Sequence, residues 1–236
     1  MQYAGNLVVA PDRERAIYTG LRRKAPNNII TPGFIRLEQQ LSSGQGQYQF
    51  QIGKNVGNPS ATEVRLDLND AFVATKLGIY LLNDDPSLPG HSPLLTFPSP
   101  VDFPAEAGNV NPSHLEAFYN GFLRVKVADV VYAEAMATRK FRVVRDQQSA
   151  PAVAVGTNWP AAPQKLSETL GFDGLEDLTP QFIFQGQAKN ELSLYVPANS
   201  TQQVQYVTAT TRIKVVWYME GFLITQGSAL GSALQG

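Results

Sequence analysis

The sequence contains no cysteine, so disulfide bonds and thiolate chemistry are excluded and the fold has to be stabilised by packing. Charged residues make up 17% of the chain, below the roughly 25% that is usual for soluble domains. The formal net charge of −1 provides no overall attraction to nucleic acid. No apolar run approaches the roughly 18 residues of a membrane-spanning helix, and the N-terminus lacks the pattern of a signal peptide. The surface is therefore mostly uncharged, which favours extensive contacts between subunits because uncharged groups are desolvated at lower cost.

Catalytic and metal-binding signatures are missing as well. The two histidines, His91 and His114, have no partner at the spacing of an HExxH site, and the chain has no GxSxG elbow, GxxxxGK phosphate loop or GxGxxG motif. The acidic pairs Asp84-Asp85 and Glu176-Asp177 are interpreted as solvated loop residues. We therefore predict that the protein is not an enzyme and binds no cofactor or metal. Glycoside hydrolysis stays open as a third function because it needs only two acids across a cleft.

The stretch 63–82 carries the clearest strand pattern. Val64, Leu66 and Leu68 alternate with polar residues, and Asn69-Asp70 offers a turn. The residues after the turn are apolar on both sides, which is typical of a strand in the middle of a sandwich. The alternation predicts one face with Val73, Leu77, Ile79 and Leu81 and an opposite face with Phe72, Ala74, Tyr80 and Leu82. The sequence thus predicts a buried strand pair, and β-branched residues with Gly78 disfavour the alternative of a helix over 71–82.

Further strands are predicted by alternation and by β-forming residues, and they dominate the chain. They cover 34–42, 48–52, 122–131, 140–144, 182–184, 191–196, 204–208, 212–218 and 222–225. Trp217 belongs to the alternating set of 212–218 and is predicted to lie in the core. Short helices are predicted at 114–120, with Ser113 as N-cap and Gly121 as the end, and near 165–170. The predicted fold class is all-β, a β-sandwich with long loops and one or two short helices.

The first 25 residues form a basic N-terminal arm in this interpretation. Pro11 and Asp12 near the start and basic residues at the end favour a short helix, with Ile17 and Leu21 as an apolar pair. We expect the β domain to cover 26–226, with a possible subdivision near 130–147, and the tail 227–236 to be flexible. Deletion of residues 1–24 is expected to leave the β domain folded. The basic residues of the arm are Arg13, Arg15, Arg22, Arg23 and Lys24.

Two long proline-rich excursions interrupt the strands. The first, 83–113, contains seven prolines together with five large apolar residues: Leu94, Leu95, Phe97, Val101 and Phe103. We predict that these side chains pack on the parent domain or contact a neighbouring subunit. In the second excursion, 147–180, Trp159 beside Pro160 is the candidate for an exposed contact.

The chain combines a basic arm, a β-sandwich, long proline-rich excursions with short helices, and dense C-terminal strands. This layout resembles the coat proteins of icosahedral viruses and bacteriophages built on jelly-roll barrels. The resemblance implies a jelly-roll fold and a capsid subunit that self-assembles as a homotrimer or larger particle. It also implies contacts with other virion proteins, and an arm whose basic residues face lipid membrane or genome inside the particle. The location would be the virion, assembled in the host cytoplasm. About ten to twelve predicted strands leave open a single elaborated barrel or a compact double jelly roll.

The main alternative function is a β-sandwich binding module. Such a module would recognise carbohydrate or a receptor, as an adhesin does, through Trp159 and the 84–113 excursion. Solution size separates the two functions, since a capsid subunit forms large assemblies and a binding module binds a glycan saturably.

Overall fold

A computed structural model describes residues 9–42, 44–54, 57–85, 87–98, 103, 115–144, 174–197, 212–230 and 234. These residues contain one α-helix, α1 (Val9–Lys24), three short 3₁₀ helices (Glu116–Asn120, Thr138–Phe141 and Ser228–Leu230) and eight strands. The strands are β1 (Ile30–Gln40), β2 (Gln47–Phe50), β3 (Ala71–Asp84), β4 (Phe122–Val127), β5 (Val130–Ala137), β6 (Leu175–Gln185), β7 (Asn190–Tyr195) and β8 (Arg212–Ile224).

The strands form two four-stranded antiparallel sheets with one shared core. The first, which we call the helix-bearing sheet, has the order β1-β8-β3-β6, and the second sheet has the order β2-β7-β4-β5. Tyr48 and Leu192 of the second sheet belong to the same buried cluster as Leu37, Ile79 and Trp217 of the helix-bearing sheet. The prediction of an all-β sandwich is therefore confirmed at this level. Each sheet combines strands from before and after 130–147.

β3 and β8 form the centre of the helix-bearing sheet, and a β-bulge at Thr75 decides which β3 side chains face outward. The register shifts between Ala74 and Lys76, and Thr75 donates a hydrogen bond to the main-chain oxygen of Glu220 (3.3 Å). The extra residue reverses the alternation. Val73 before the bulge therefore points outward, whereas Leu77 after it points into the core. The uninterrupted alternation predicted for β3 is wrong at this point. The core-facing set is Phe72, Ala74, Leu77, Ile79 and Leu81.

Helix α1 lies on the outer face of the helix-bearing sheet. Asp12 in its first turn and basic residues in its last turn suit the helix dipole, and the predicted helix is confirmed. The side chains of Leu21 and Ala25 are buried in a cluster with six sheet residues: Ile30, Ala71, Val73, Ile183, Phe222 and Ile224. The helix is thus part of the packed structure. We therefore revise the expectation that removing it leaves the β domain folded.

Several other predicted elements differ from the structure. Residues 63–68 form no strand: Val64 and Leu66 make isolated bridges to Arg36 and Gly53, and β3 pairs with β6 and β8 instead. The predicted strand 140–144 is a 3₁₀ helix followed by irregular chain, and the predicted strand 122–131 contains a turn between β4 and β5. The two strands predicted over 212–225 are the single strand β8.

The C-terminal tail is packed where the structure describes it. Ser228 and Leu234 are buried, and Leu234 belongs to the cluster beneath α1. The Lys24 side chain donates a hydrogen bond to the main-chain oxygen of Leu234 (3.2 Å). For these residues the prediction of a flexible tail is wrong. The predicted strand 204–208 and the helix near 165–170 lie outside the described residues.

Candidate assembly surface

The outer face of the helix-bearing sheet carries three zones that follow one another along the strands. Alternation places even-numbered residues of β1 and β8 on this face, because their odd-numbered neighbours Leu37 and Trp217 point into the core. One end of the face is covered by α1, and the other end is covered by residues 60–65 and by Leu94. Between them lies a strip that includes Phe34, Tyr218 and Glu220, which we call the open strip.

Helix α1 crosses all four strands. Near its start, Arg13 forms an ion pair with Asp177 of β6 (2.8 Å), and Glu14 forms one with Lys76 of β3 (3.0 Å). In its middle, the ring of Tyr18 lies 5.8 Å from the ring of Phe222 on β8. The chain then enters β1 shortly after the helix ends. The open strip therefore lies beside the helix on β1 and β8, next to Tyr80 of β3.

The basic residues predicted for the arm divide into two groups. Arg13 is held by the sheet, Arg22 donates a hydrogen bond to the main-chain oxygen of Asn28 (3.2 Å), and Lys24 contacts the tail. Arg15 and Arg23 are exposed, and within the described chain no ion pair or side-chain hydrogen bond holds either guanidinium group. An interior-facing role for this set stays a prediction.

Aromatic rings form the floor of the open strip. The ring of Phe34, whose residue is 44% exposed, stacks on the ring of Tyr218 (centroids 5.5 Å apart, planes at 22°). Tyr218 in turn meets the edge of Tyr80 at 6.3 Å. A Cβ at Gly78 would lie 2.6 Å from the Tyr80 ring, so only glycine lets this ring lie against the strand. The strip thus offers a ring pair that is partly open to solvent.

Glu220 places a carboxylate beside these rings. In the strand register it is the partner of both Phe34 on β1 and Lys76 on β3. Burial raises the pKa of Glu220, and Lys76 opposes this rise while Glu14 adds to it. Within the described chain, the Glu220 carboxylate accepts no hydrogen bond and forms no ion pair, although its residue is only partly exposed. The strip therefore contains a carboxylate, near the Lys76 ammonium, that lies at the edge of an aromatic surface and has no hydrogen bond or ion pair within the described chain.

A buried charged cluster lies beyond the strip, at the other end of the face. The Glu38 carboxylate, with 2% of its side chain exposed, accepts hydrogen bonds from Arg36 (3.0 Å), Ser60 (3.0 Å), Lys214 (2.9 Å) and Thr62. Lys214 also forms an ion pair with Asp84 (2.6 Å). Because β1, β3 and β8 all contribute, this cluster ties three strands together.

Glu63 attaches the segment 60–65 to this cluster. Its carboxylate accepts hydrogen bonds from the main-chain N–H groups of Glu38 (2.9 Å) and Ser60 (2.7 Å), and it forms an ion pair with Arg65 (2.9 Å). The segment thus covers the end of the sheet through charge-assisted hydrogen bonds. The cluster has the character of a structural clamp, since its charged side chains are at most 18% exposed.

Acid should weaken this clamp. Burial opposes ionisation of Glu38, but hydrogen bonds from Thr62 and Lys214 and the charge of Arg36 outweigh burial and lower its pKa. A carboxylate whose pKa is lowered by folding stabilises the fold above its unfolded pKa and loses this contribution as the pH falls through the folded pKa. We expect the free energy of unfolding, measured by urea titration, to fall between neutral pH and about pH 3. The Glu38→Gln variant should show a shallower fall, and an equally steep fall in this variant would contradict the assignment.

The residues predicted for subunit contacts lie largely inside the same chain. Leu95, Phe97 and Phe103 are buried, and Leu95 forms a two-bond bridge with Leu81 of β3 (2.8 and 2.9 Å). Leu94 is half-buried and packs against Tyr80, Leu82 and Val216. The parent domain thus accounts for these side chains, while a contact with another subunit stays a prediction. Val101 and Trp159 lie outside the described residues.

Sequence reasoning missed the main polar residues of this face. Asp84 was expected to be solvated, but it is buried against Lys214, whereas its neighbour Asp85 accepts hydrogen bonds from Ser87 in a turn. Glu38 and Glu220 carried no motif that could single them out. The available signal was weak: charges at alternating positions of otherwise apolar strands, such as Arg36-x-Glu38.

The described residues contain no group of three or more metal-binding side chains and no helix long and apolar enough to cross a membrane. His91 is exposed, and His114 lies outside the described residues. Comparisons with protein-family models, with curated proteins and with solved structures found no match.

Proposed function

We propose that this chain is a structural subunit of the shell of an icosahedral virus or bacteriophage, and that its two sheets form a single jelly roll. The observation that carries the proposal is the order of pairing. β1 pairs with β8, β2 with β7, β3 with β6 and β4 with β5, always antiparallel. A long antiparallel hairpin that is rolled into two sheets produces this nested order, and the eight-stranded jelly roll of viral shells and lectins has the same plan.

The character of the surface supports assembly over catalysis. Large apolar residues are exposed on both sheets, among them Phe34, Phe122, Val130 and Val131, while charged residues are scarce. Uncharged surface with exposed aromatic and aliphatic groups suits contacts between subunits. The proposed partners are further copies of the chain, other virion proteins, and lipid or genome. The proposal includes no cofactor and no catalytic step.

We expect the purified protein to form trimers or larger ordered particles. Light scattering after size-exclusion chromatography measures the mass, and negative-stain electron microscopy shows whether the assemblies are regular. A protein that stays monomeric at high concentration, across pH and salt, would contradict the proposal.

A carbohydrate-binding module is the second candidate because of one feature of the second sheet. Phe122 and Tyr195 stack at 4.7 Å on its outer face, and Gln47 donates a hydrogen bond to the Tyr195 hydroxyl (3.2 Å). Aromatic rings with neighbouring amides are typical of sugar sites. Under this alternative, the monomer binds a glycan saturably and the Tyr195→Ala variant loses binding. Tyr18→Ala, on the helix-bearing side, is the matched control.

A further inference from the structure

The face formed by α1 and the open strip is complementary in shape to a second copy of itself. The helix, about 10 Å in diameter, stands above the sheet as a ridge. Beside it, no helix of the described residues lies above the strip, and Phe34 is 44% exposed there. Glu220 of the strip is the register partner of Lys76, which forms an ion pair with Glu14 of the helix, so the face presents a ridge and a trough that lie side by side. A face of this kind can pack against a second copy of itself, ridge into trough.

The charges of the two features are complementary as well. The ridge presents the guanidinium groups of Arg15 and Arg23, which are eight residues and therefore about 12 Å apart along the helix. The trough presents the half-buried carboxylate of Glu220, which forms no ion pair within the described chain, beside the stacked rings of Phe34 and Tyr218. A guanidinium group satisfies both kinds of neighbour, because it forms bidentate hydrogen bonds with a carboxylate and stacks on aromatic rings.

We propose that two copies of this chain associate through this face about a twofold axis. In this arrangement α1 of each copy lies in the open strip of the other, and the arginines Arg15 and Arg23 of one copy meet Glu220, Phe34 and Tyr218 of its partner. A twofold axis lying in the interface forms both contacts at once, so the interface is closed and self-complementary. The inference rests on the proposed function in one respect, that the chain works by self-association, and it assigns one of the contacts.

The test exchanges charge between two variants of the full chain. Glu220→Arg makes the strip positive, and the double variant Arg15→Glu/Arg23→Glu makes the ridge negative. Each variant alone brings like charges together in both halves of the contact, so we expect its dimerisation constant to weaken by at least about tenfold. A mixture of the two variants brings opposite charges together in both halves. We expect the mixture to form dimers nearly as well as the unchanged protein.

A control variant and a milder variant distinguish loss of this contact from effects of net charge or of misfolding. Arg139→Glu/Lys140→Glu makes the same change of net charge at two exposed residues of another surface and should leave dimerisation unchanged. Glu220→Gln removes the carboxylate with little change of shape and should weaken dimerisation in the same direction as Glu220→Arg. Circular dichroism melting curves check that every variant is folded, and sedimentation velocity measures the dimerisation constant.

Dimers that are insensitive to both charge variants, or a mixture that fails to recover, would overturn the proposal. A monomeric protein whose strip binds a hexa-arginine peptide would also overturn it, because the occupant would then be a foreign basic segment. Different outcomes would contradict the proposed function and the proposed dimer contact. Particles that form normally from both variants remove this contact and leave the shell function, whereas charge-dependent dimers that never build particles keep the contact and remove that function.

Discussion

We expect removal of residues 1–24 to unfold or aggregate the protein at room temperature. Without α1, the side chains of Val73, Phe222 and Ile224 lose their cover, together with the buried contacts of Leu21. Full burial of one such side chain is worth about 1.5–3 kcal/mol, so the summed loss approaches the 5–15 kcal/mol that stabilises a whole domain. Thermal melting of the truncated and full-length proteins measures the effect.

A single substitution makes the same test milder. Leu21→Ala should lower the free energy of unfolding by about 2–4 kcal/mol, since Leu21 is buried between helix and sheet. Thr19→Ala, at an exposed position of the same helix, is the matched control and should change stability by less than about 0.5 kcal/mol. A truncated protein that melts within a few degrees of the full chain would show that α1 is a detachable arm after all.

The Glu38→Ala variant should lose about 3 kcal/mol of stability. The substitution leaves the buried Arg36 guanidinium without its carboxylate and reduces Lys214 to a single acidic partner, Asp84. Removing one member of a buried ion pair costs about 3–5 kcal/mol, and we take the lower end because Arg36 and Lys214 keep some contact with solvent. Urea titration at neutral pH measures the loss.

An exposed ion pair on the second sheet provides the control. Glu134 contacts Arg124 at 3.3 Å, and both side chains are well exposed. Exposed pairs contribute at most about 1 kcal/mol, so Glu134→Ala should have a small effect. Equal losses in the Glu38→Ala and Glu134→Ala variants would mean that the buried cluster is not a clamp.

The sequence predicted the parts of the fold that depend on local pattern. The helix at α1 followed from its acidic start and basic end, and the core position of Trp217 followed from alternation. The strand pattern of 63–68 misled because Val64, Leu66 and Leu68 alternate with polar residues, yet of these three only Leu66 is buried. Val64 and Leu68 are 38% and 46% exposed. Alternation alone therefore cannot separate a strand from a segment that touches the sheet at single residues.

Gly221 lies in the gap between the predicted strands 212–218 and 222–225. The single strand β8 runs through it without a break. A Cβ at this position would lie 1.9 Å from the main-chain oxygen of Val73, next to the bulge in β3. The glycine permits a close approach of two backbones, which is a tertiary contact and leaves no trace in local pattern. The same holds for Glu38 and Glu220, whose surroundings come from three strands and a helix.

The pairing of β1 with β8 also has a consequence for synthesis on the ribosome. Ile30 is the register partner of Ile224, so β1 leaves the ribosome long before β8, the strand that pairs with it. Until β8 is synthesised, the edge of β1 that pairs with it has no hydrogen-bonding partner. The hairpin of β4 and β5 can form early because these two strands are adjacent in the chain. An unpaired strand edge in a nascent chain is a site of aggregation. Pro32 and Gly33 lie in β1. Both residues disfavour premature pairing with a neighbouring chain, because proline has no N–H group to donate and glycine weakens a strand.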